Sequence, residues 1–113
     1  MNCVVWNAWG LGSPEAFLKL RSYSPGLMFI SETRVWGHQA KSLPGRAGFP
    51  NGFPVDSISR SGGLVLMWKA EWKVEIKSYS RRHIDAIITD PLRNVWRFTG
   101  VYGHPCSDQR IHT

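Results

Sequence analysis

The sequence predicts a mixed α/β fold, in which a βαβ unit precedes an antiparallel meander and a helix covers at least one face of a mixed sheet. Two short, wholly apolar runs, Cys3–Trp6 and Leu27–Ile30, flank a segment with the signals of a helix. From Phe49 onward, hydrophobic residues recur at every second position, which is typical of half-buried strands. A composition of 42% hydrophobic and 19% charged residues is that of a globular chain, so a packed core is expected.

The segment between the two apolar runs predicts a short helix. Ser13 is a suitable N-cap, Pro14 fits the first helical position, and Glu15 is favoured at the positive end of the helix. Ser24–Gly26 ends the pattern before the second run. Because a short helical crossover joins the two strands, we expect them to be parallel. Residues 36–47 are ambiguous, and one irregular helix is the interpretation we favour.

The remainder predicts a meander of antiparallel strands. Leu64–Trp68 is apolar throughout and indicates a buried strand, and Asp90–Asn94 indicates a hairpin turn. After Tyr102 we expect a polar tail, Ser107–Thr113. Three further strands are predicted from alternating residues, namely Trp72, Val74 and Ile76, then Ile84, Ala86 and Ile88, then Trp96, Phe98 and Tyr102.

Charge and cysteine content narrow the partner and the compartment. A net charge of +6 favours an anionic partner, and nucleic acid is the commonest one. Cys3 and Cys106 form neither a disulfide framework nor a zinc spacing, so we expect a reduced intracellular compartment. No apolar run reaches the roughly 20 residues of a transmembrane helix, and the N-terminus does not have the pattern of a signal peptide. We expect no membrane partner.

Three polar residues follow apolar strands and are candidates for chemistry. Asn7 and Glu32 follow the two parallel strands, and the carboxyl ends of parallel strands commonly form a ligand site. Tyr102 follows the last predicted strand. Mg²⁺ often takes one or two protein carboxylates, and amide or phenol groups can donate hydrogen bonds to phosphate oxygens. Spacing alone leaves open that Asn7 and Glu32 are capping residues and that Tyr102 belongs to the core.

A dinucleotide-binding fingerprint is a weaker interpretation of the same region. Gly10 and Gly12 follow a strand and precede a helix, and Glu32 lies about twenty residues further on. However, Glu15 occupies the position of the third glycine, and no second βαβ unit follows. We therefore favour phosphoryl chemistry over dinucleotide binding.

Four segments together resemble the endonuclease/exonuclease/phosphatase superfamily, in the form carried by plant LINE-type (non-LTR) retrotransposons. They occur in the family's order and at matching spacing, and they cover nearly the whole chain. The segments are Val5–Gly12, similar to the family's WNxRGLG opening; Phe29–Val35, similar to its LxETK strand end; Arg60–Trp68, similar to GRSGGLALLW; and Trp96–Pro105, similar to WRFTGFYGHP.

The resemblance implies a four-layer α/β sandwich and metal-dependent phosphodiester hydrolysis, with target DNA nicked for reverse transcription. By position, Asn7 corresponds to a catalytic, phosphate-binding Asn, and Tyr102 to a catalytic, phosphate-binding Tyr. Glu32 corresponds to the Mg²⁺ ligand, with Mn²⁺ as the alternative metal. Arg110 corresponds to a phosphate-binding Arg that often follows the Tyr-x-x-Pro turn. The implied partner is DNA, and the implied location is nuclear.

The departures from the family pattern are as informative as the matches. Trp9 stands where Arg is usual, and Trp36 where many relatives have Arg. The family's later Asp-x-Asn, Asp and Asp-His motifs have no counterpart in residues 1–113. We therefore expect a single partial endonuclease domain over residues 1–113 with its C-terminal half missing, and no activity without that complementary half. We also expect one sheet to lack a partner for its inner face.

Two other hypotheses remain open. The chain is then either a non-catalytic basic module that binds nucleic acid or a partner through a Trp-rich surface, or a fragment that does not fold stably. Salt-dependent DNA binding without metal-dependent nicking would favour the basic module.

Overall fold

The computed structural model describes the backbone of residues 3–7, 26–58, 61–102 and 104–110. It describes side chains in residues 26–58 and 61–102. The helix predicted from Ser13 lies outside these residues. The described elements, in chain order, are β1 (Cys3–Asn7), β2 (Leu27–Ser31), α1 (Gly37–Arg46), β3 (Asn51–Val55), β4 (Leu64–Trp68), β5 (Lys73–Tyr79), β6 (His83–Thr89), β7 (Val95–Val101) and β8 (His104–Arg110).

The first sheet, here called sheet 1, has the strand order β1-β2-β4-β3. Strands β1 and β2 are parallel, with Cys3 opposite Leu27 and Asn7 opposite Ser31, which confirms the predicted parallel pair. Strand β4 pairs antiparallel with both β2 and β3. All five residues of β2 are buried, as expected for an apolar strand with neighbours on both edges and layers on both faces.

Helix α1 covers one face of sheet 1. Its buried residues are Ala40, Leu43 and Pro44, and Leu43 packs with Met28 and Val65 in one cluster. The predicted helix in this region is confirmed, and Pro44 lies inside it, where it supplies no backbone N–H.

The second sheet, here called sheet 2, is an antiparallel meander in the order β5-β6-β7-β8. A register shift between Ile76 and Ser78 bends β5, and the predicted turn at Asp90–Asn94 joins β6 to β7. The expected polar tail is wrong in its first part, because His104–Arg110 forms β8, paired with β7. This segment has no apolar alternation, so only backbone pairing with a distant strand reveals it.

The other face of sheet 1 packs against sheet 2. The rings of Phe29 and Phe98 lie 5.4 Å apart between centroids, and a Cβ on Gly100 would lie 2.5 Å from the Phe29 ring. Trp96 and Ile84 are buried in the same cluster. The expectation that one sheet lacks a partner for its inner face is therefore wrong, because each sheet supplies the apolar face that the other needs. The fold class is confirmed as a mixed α/β sandwich.

Two of the four described tryptophans belong to this core. Trp72 is 8% exposed and Trp96 is 2% exposed, whereas Trp36 is 51% exposed. Trp68 packs on the edge of the inter-sheet cluster. Among the four tryptophans whose side chains the structure describes, Trp36 alone is more than half exposed, and the binding-module hypothesis stays open.

Candidate active site

The backbone places Asn7 and Glu32 at the same edge of sheet 1. Asn7 is the last residue of β1 and lies opposite Ser31, the last residue of β2. Glu32 follows directly, so both residues occupy the carboxyl ends of the parallel pair, as the sequence predicts. The side chain of Asn7 lies outside the described residues.

Glu32 is a buried acid in an unusual backbone conformation. It is 8% exposed and its φ is +61°, and Arg34 also has a positive φ, +57°. Positive φ is uncommon for residues other than glycine, and such positions cluster at ligand sites. The Nε of Arg34 donates a hydrogen bond of 3.3 Å to Oε2 of Glu32. The other oxygen, Oε1, is buried and has no hydrogen-bond partner within the described part of the chain.

The loop that carries Glu32 is fixed by the glycine pair before β4. The amide of Thr33 donates to the carbonyl of Gly63 at 3.2 Å, and the amide of Arg34 donates to the carbonyl of Gly62 at 2.9 Å. Gly63 has a φ of +92°, and a Cβ there would lie 2.1 Å from Oγ1 of Thr33. Only glycine fits both constraints. The Arg60–Trp68 motif thus has a local role, which is to shape the acid-bearing loop.

The same two glycines line an open cleft with a volume of about 200 Å³. Tyr102 lines it from sheet 2, and its amide donates to the carbonyl of Arg82 at 2.6 Å. Glu32 does not line this cleft but is joined to it through Gly62 and Gly63. The loop that carries Glu32 and the cleft that Tyr102 lines therefore share the glycine pair. The full lining is Asp56, Ile58, Ser61, Gly62, Gly63, Arg81, Arg82 and Tyr102.

Sequence reasoning missed Arg81 and Arg82, the two cations of the cleft. They lie in the hairpin between β5 and β6, and both are exposed. Neither has an ion-pair partner among residues 26–58 and 61–102. The sequence signal for them was a pair of adjacent arginines between two segments of alternating hydrophobicity. Such a pair falls in a turn, and the turns at one end of a sheet lie close to the ends of the neighbouring strands.

Arg110 is not brought to this cleft by the strand pairing. In β8 it lies opposite Trp96, whereas Val101, the neighbour of Tyr102, lies opposite His104. Six residues of extended chain separate Trp96 from Tyr102, which is roughly 20 Å. The structure therefore does not bring Arg110 and Tyr102 together, and we do not carry Arg110 into the site proposed below.

No three His, Cys, Asp or Glu side chains come together among the described residues. The described helix is also too short to cross a membrane.

The fold is a mixed α/β sandwich, and Asn7 and Glu32 lie at one edge of sheet 1. A solved structure with the same fold is the AP endonuclease LMAP from Leishmania major, with a TM-score of 0.53 and 16% sequence identity. The match covers 89% of this chain and 40% of that one, so the chain spans well under half the length of that endonuclease. At this identity the likeness shows the fold. No family model matches the sequence, and no curated protein matches it.

Proposed function

We propose that the chain carries the metal-binding and phosphate-binding part of a Mg²⁺-dependent DNA endonuclease of the LINE-retrotransposon kind. In this proposal residues 1–113 form one partial domain that acts together with a complementary half, and the location is nuclear. The observation that carries the proposal is the buried, unpartnered Oε1 of Glu32 at the carboxyl end of the parallel strand pair.

The donor set at Glu32 fits Mg²⁺. A buried carboxylate oxygen without a hydrogen bond costs about 1–3 kcal/mol or more, so its presence calls for a compensating ligand. Mg²⁺ takes hard oxygen ligands and commonly uses only one or two carboxylates, with water and phosphate completing its shell. Mn²⁺ accepts the same donors. Glu32 would hold the cation, which would neutralise phosphate charge during hydrolysis.

The neighbouring residues supply hydrogen bonds to the phosphate. Tyr102 lines the cleft and carries a phenolic O–H, and Asn7 carries an amide at the same sheet edge as Glu32. In the proposal, these donors orient the phosphodiester and stabilise the charge that grows on its oxygens. Arg34 holds Oε2 of Glu32 and so leaves Oε1 for the metal.

Metal binding by the purified chain tests whether the unpartnered Oε1 of Glu32 is a metal ligand. Mn²⁺ is titrated and followed by the electron paramagnetic resonance signal of the free ion, for wild type, Glu32→Gln and Glu71→Gln. Glu71 is an exposed acid in the turn before β5, so its variant makes the same charge change elsewhere. Loss of a direct ligand should weaken binding about tenfold or more. Equal affinities for wild type and Glu32→Gln, both with native circular dichroism, would overturn the proposal.

Nicking of supercoiled plasmid DNA tests the proposed chemistry. Residues 1–113 alone should not nick with Mg²⁺, because the family's water-activating Asp-His pair has no counterpart in this sequence. Adding the C-terminal half of a LINE-type endonuclease domain should restore nicking by wild type and not by Glu32→Gln. Equal nicking by both proteins would contradict a role for Glu32.

A non-catalytic, basic, nucleic-acid-binding module is the second candidate. The net charge of +6 and the two arginines of the cleft favour it. DNA binding that requires no metal, together with no Mn²⁺ binding at Glu32, would select this alternative over the endonuclease.

A further inference from the structure

The hairpin between β5 and β6 presents Arg81 and Arg82, here called the hairpin arginines, at the mouth of the cleft. Both are exposed, and neither forms an ion pair within the described ranges. Asp56 is the only carboxylate among the described residues that line the cleft, so the cations outnumber the anion. The cleft therefore favours an anionic ligand.

The hairpin is held by a hydrogen-bond network around one histidine. Ser80 Oγ is hydrogen-bonded to Nδ1 of His83 at 2.6 Å, and Ser78 Oγ to Nε2 at 3.0 Å. The amide of Arg82 donates to Ser80 Oγ at 3.0 Å. These bonds fix the backbone from which the two guanidinium groups extend, so less conformational freedom is lost on binding.

The hairpin is also tied to the candidate site. The backbone amide of Tyr102 donates to the backbone carbonyl of Arg82, so the chain at Tyr102 is anchored to the hairpin. The hydroxyl-bearing Ser61, next to the glycine pair, lines the same cleft. Residues that carry guanidinium, phenol and hydroxyl groups thus line one cleft, and such groups recognise phosphate oxygens.

The cleft volume limits the size of the ligand group. Drug-sized ligands occupy about 300–1,000 Å³, and this cleft has about 200 Å³. A single phosphodiester group fits this volume better than a whole nucleotide with its base. Recognition at this point is therefore of the backbone and not of the base sequence.

We propose that the hairpin arginines bind a backbone phosphate of double-stranded DNA beside Tyr102, and that this contact forms without metal. The choice of DNA as the polyanion rests on the proposed function. The contact positions the duplex, whereas Glu32 holds the cation, so the two functions are separable by mutation.

Fluorescence anisotropy with a labelled DNA duplex in EDTA tests the proposal. The variant Arg81→Gln/Arg82→Gln is compared with the control Lys41→Gln/Arg93→Gln, which removes two exposed cations from helix α1 and from the β6–β7 turn. Both have the same net charge. Each phosphate contact contributes about 0.9 to the slope of log affinity against log salt, and the proposal has one phosphate at the hairpin, so the hairpin variant should lose about 0.9. The control should keep its slope.

Affinity at fixed salt provides the second readout. At about 100 mM salt we expect the hairpin variant to bind at least roughly tenfold more weakly than the control. Arg81→Lys/Arg82→Lys keeps the charge and loses the bidentate fork, so its affinity should fall between wild type and the Gln variant. Equal affinity and slope for the hairpin variant and the control would overturn the proposal. All substitutions are at exposed side chains, and matching thermal midpoints exclude unfolding as a cause.

The outcomes separate this proposal from the proposed function. A selective loss of DNA binding in the hairpin variant, with no Mn²⁺ binding at Glu32, would support the phosphate contact and reject the endonuclease. Normal DNA binding by the hairpin variant, with Mn²⁺ binding lost in Glu32→Gln, would reject the phosphate contact and leave the endonuclease standing.

Discussion

Glu32 and Asp85 are two carboxylates with nearly equal burial and opposite surroundings. Glu32 is 8% exposed and Asp85 is 6% exposed. Asp85 accepts from Arg97 Nε at 2.9 Å, from Arg97 Nη2 at 2.5 Å, and from Thr99 Oγ1 at 3.2 Å. Glu32 accepts a bond of 3.3 Å from Arg34 Nε at its Oε2, and its Oε1 has no hydrogen-bond partner in the described part of the chain.

The comparison shows that burial of an acid does not by itself indicate a site. Asp85 lies within strand β6, where the neighbouring strand β7 supplies a bidentate cation and a hydroxyl. Its hydrogen bonds from Arg97 hold the pKa of the Asp85 carboxyl below its ordinary value, although desolvation acts in the opposite direction. Glu32 follows a strand in a left-handed conformation, where no regular partner strand can complete its bonding. The two acids therefore differ in whether their carboxylate oxygens have hydrogen-bond partners, and not in how deeply they are buried.

The largest expected effect is on stability in the presence of Mg²⁺. A ligand that binds only the folded state at about 100 times its Kd stabilises it by about 2.7 kcal/mol. Wild type and Asp85→Asn should both gain this free energy of unfolding, measured by urea denaturation. Glu32→Gln should gain none, and in EDTA it should be as stable as wild type or more so. A Mg²⁺ gain in Glu32→Gln would remove the distinction between the two acids.

The second largest expected effect is on the free energy of unfolding in the absence of metal, when the hydrogen bonds of Asp85 to Arg97 and Thr99 are removed. Hydrogen bonds to charged groups contribute about 1.5–3 kcal/mol, and the half-exposed side chain of Arg97 reduces this through solvent screening. We expect Asp85→Ala to lower the free energy of unfolding by about 1–2 kcal/mol. A double-mutant cycle with Arg97→Ala should show favourable coupling, so the two substitutions together should destabilise the fold by less than the sum of their separate effects. Strict additivity of the two substitutions would contradict the network.

The smallest expected effect is on how the free energy of unfolding changes at acidic pH. Because the folded-state pKa of Asp85 is below its ordinary value of 3.8, its contribution is present above that pH and is lost as pH falls through the folded pKa. The stability difference between wild type and Asp85→Asn should therefore narrow as pH falls below 3.8. Urea midpoints measured from pH 7 downward check this, and a constant difference would show that Asp85 is not linked to folding in this way.

Local patterns in the sequence predicted most of the strands and the edge of sheet 1 to which Asn7 and Glu32 belong. Apolar runs, alternating hydrophobicity and turn residues each involve only a few neighbouring positions, so they can be recognised without a structure. The parallel pairing of β1 and β2 followed from the short connection between them, and the turn at Asp90–Asn94 followed from its residues.

Contacts between segments that are far apart in the chain are visible in the fold and not in the sequence patterns. Strand β8 exists because β7 supplies backbone hydrogen bonds, and polar residues such as Asp108 and Gln109 carry no apolar signal for it. The cleft joins Tyr102, the hairpin arginines and the glycine pair because two sheets pack face to face. Asp85 has hydrogen-bond partners for its carboxylate, whereas Glu32 Oε1 has none among the described residues. This difference depends on which strand lies beside each acid, and a single sequence does not show that.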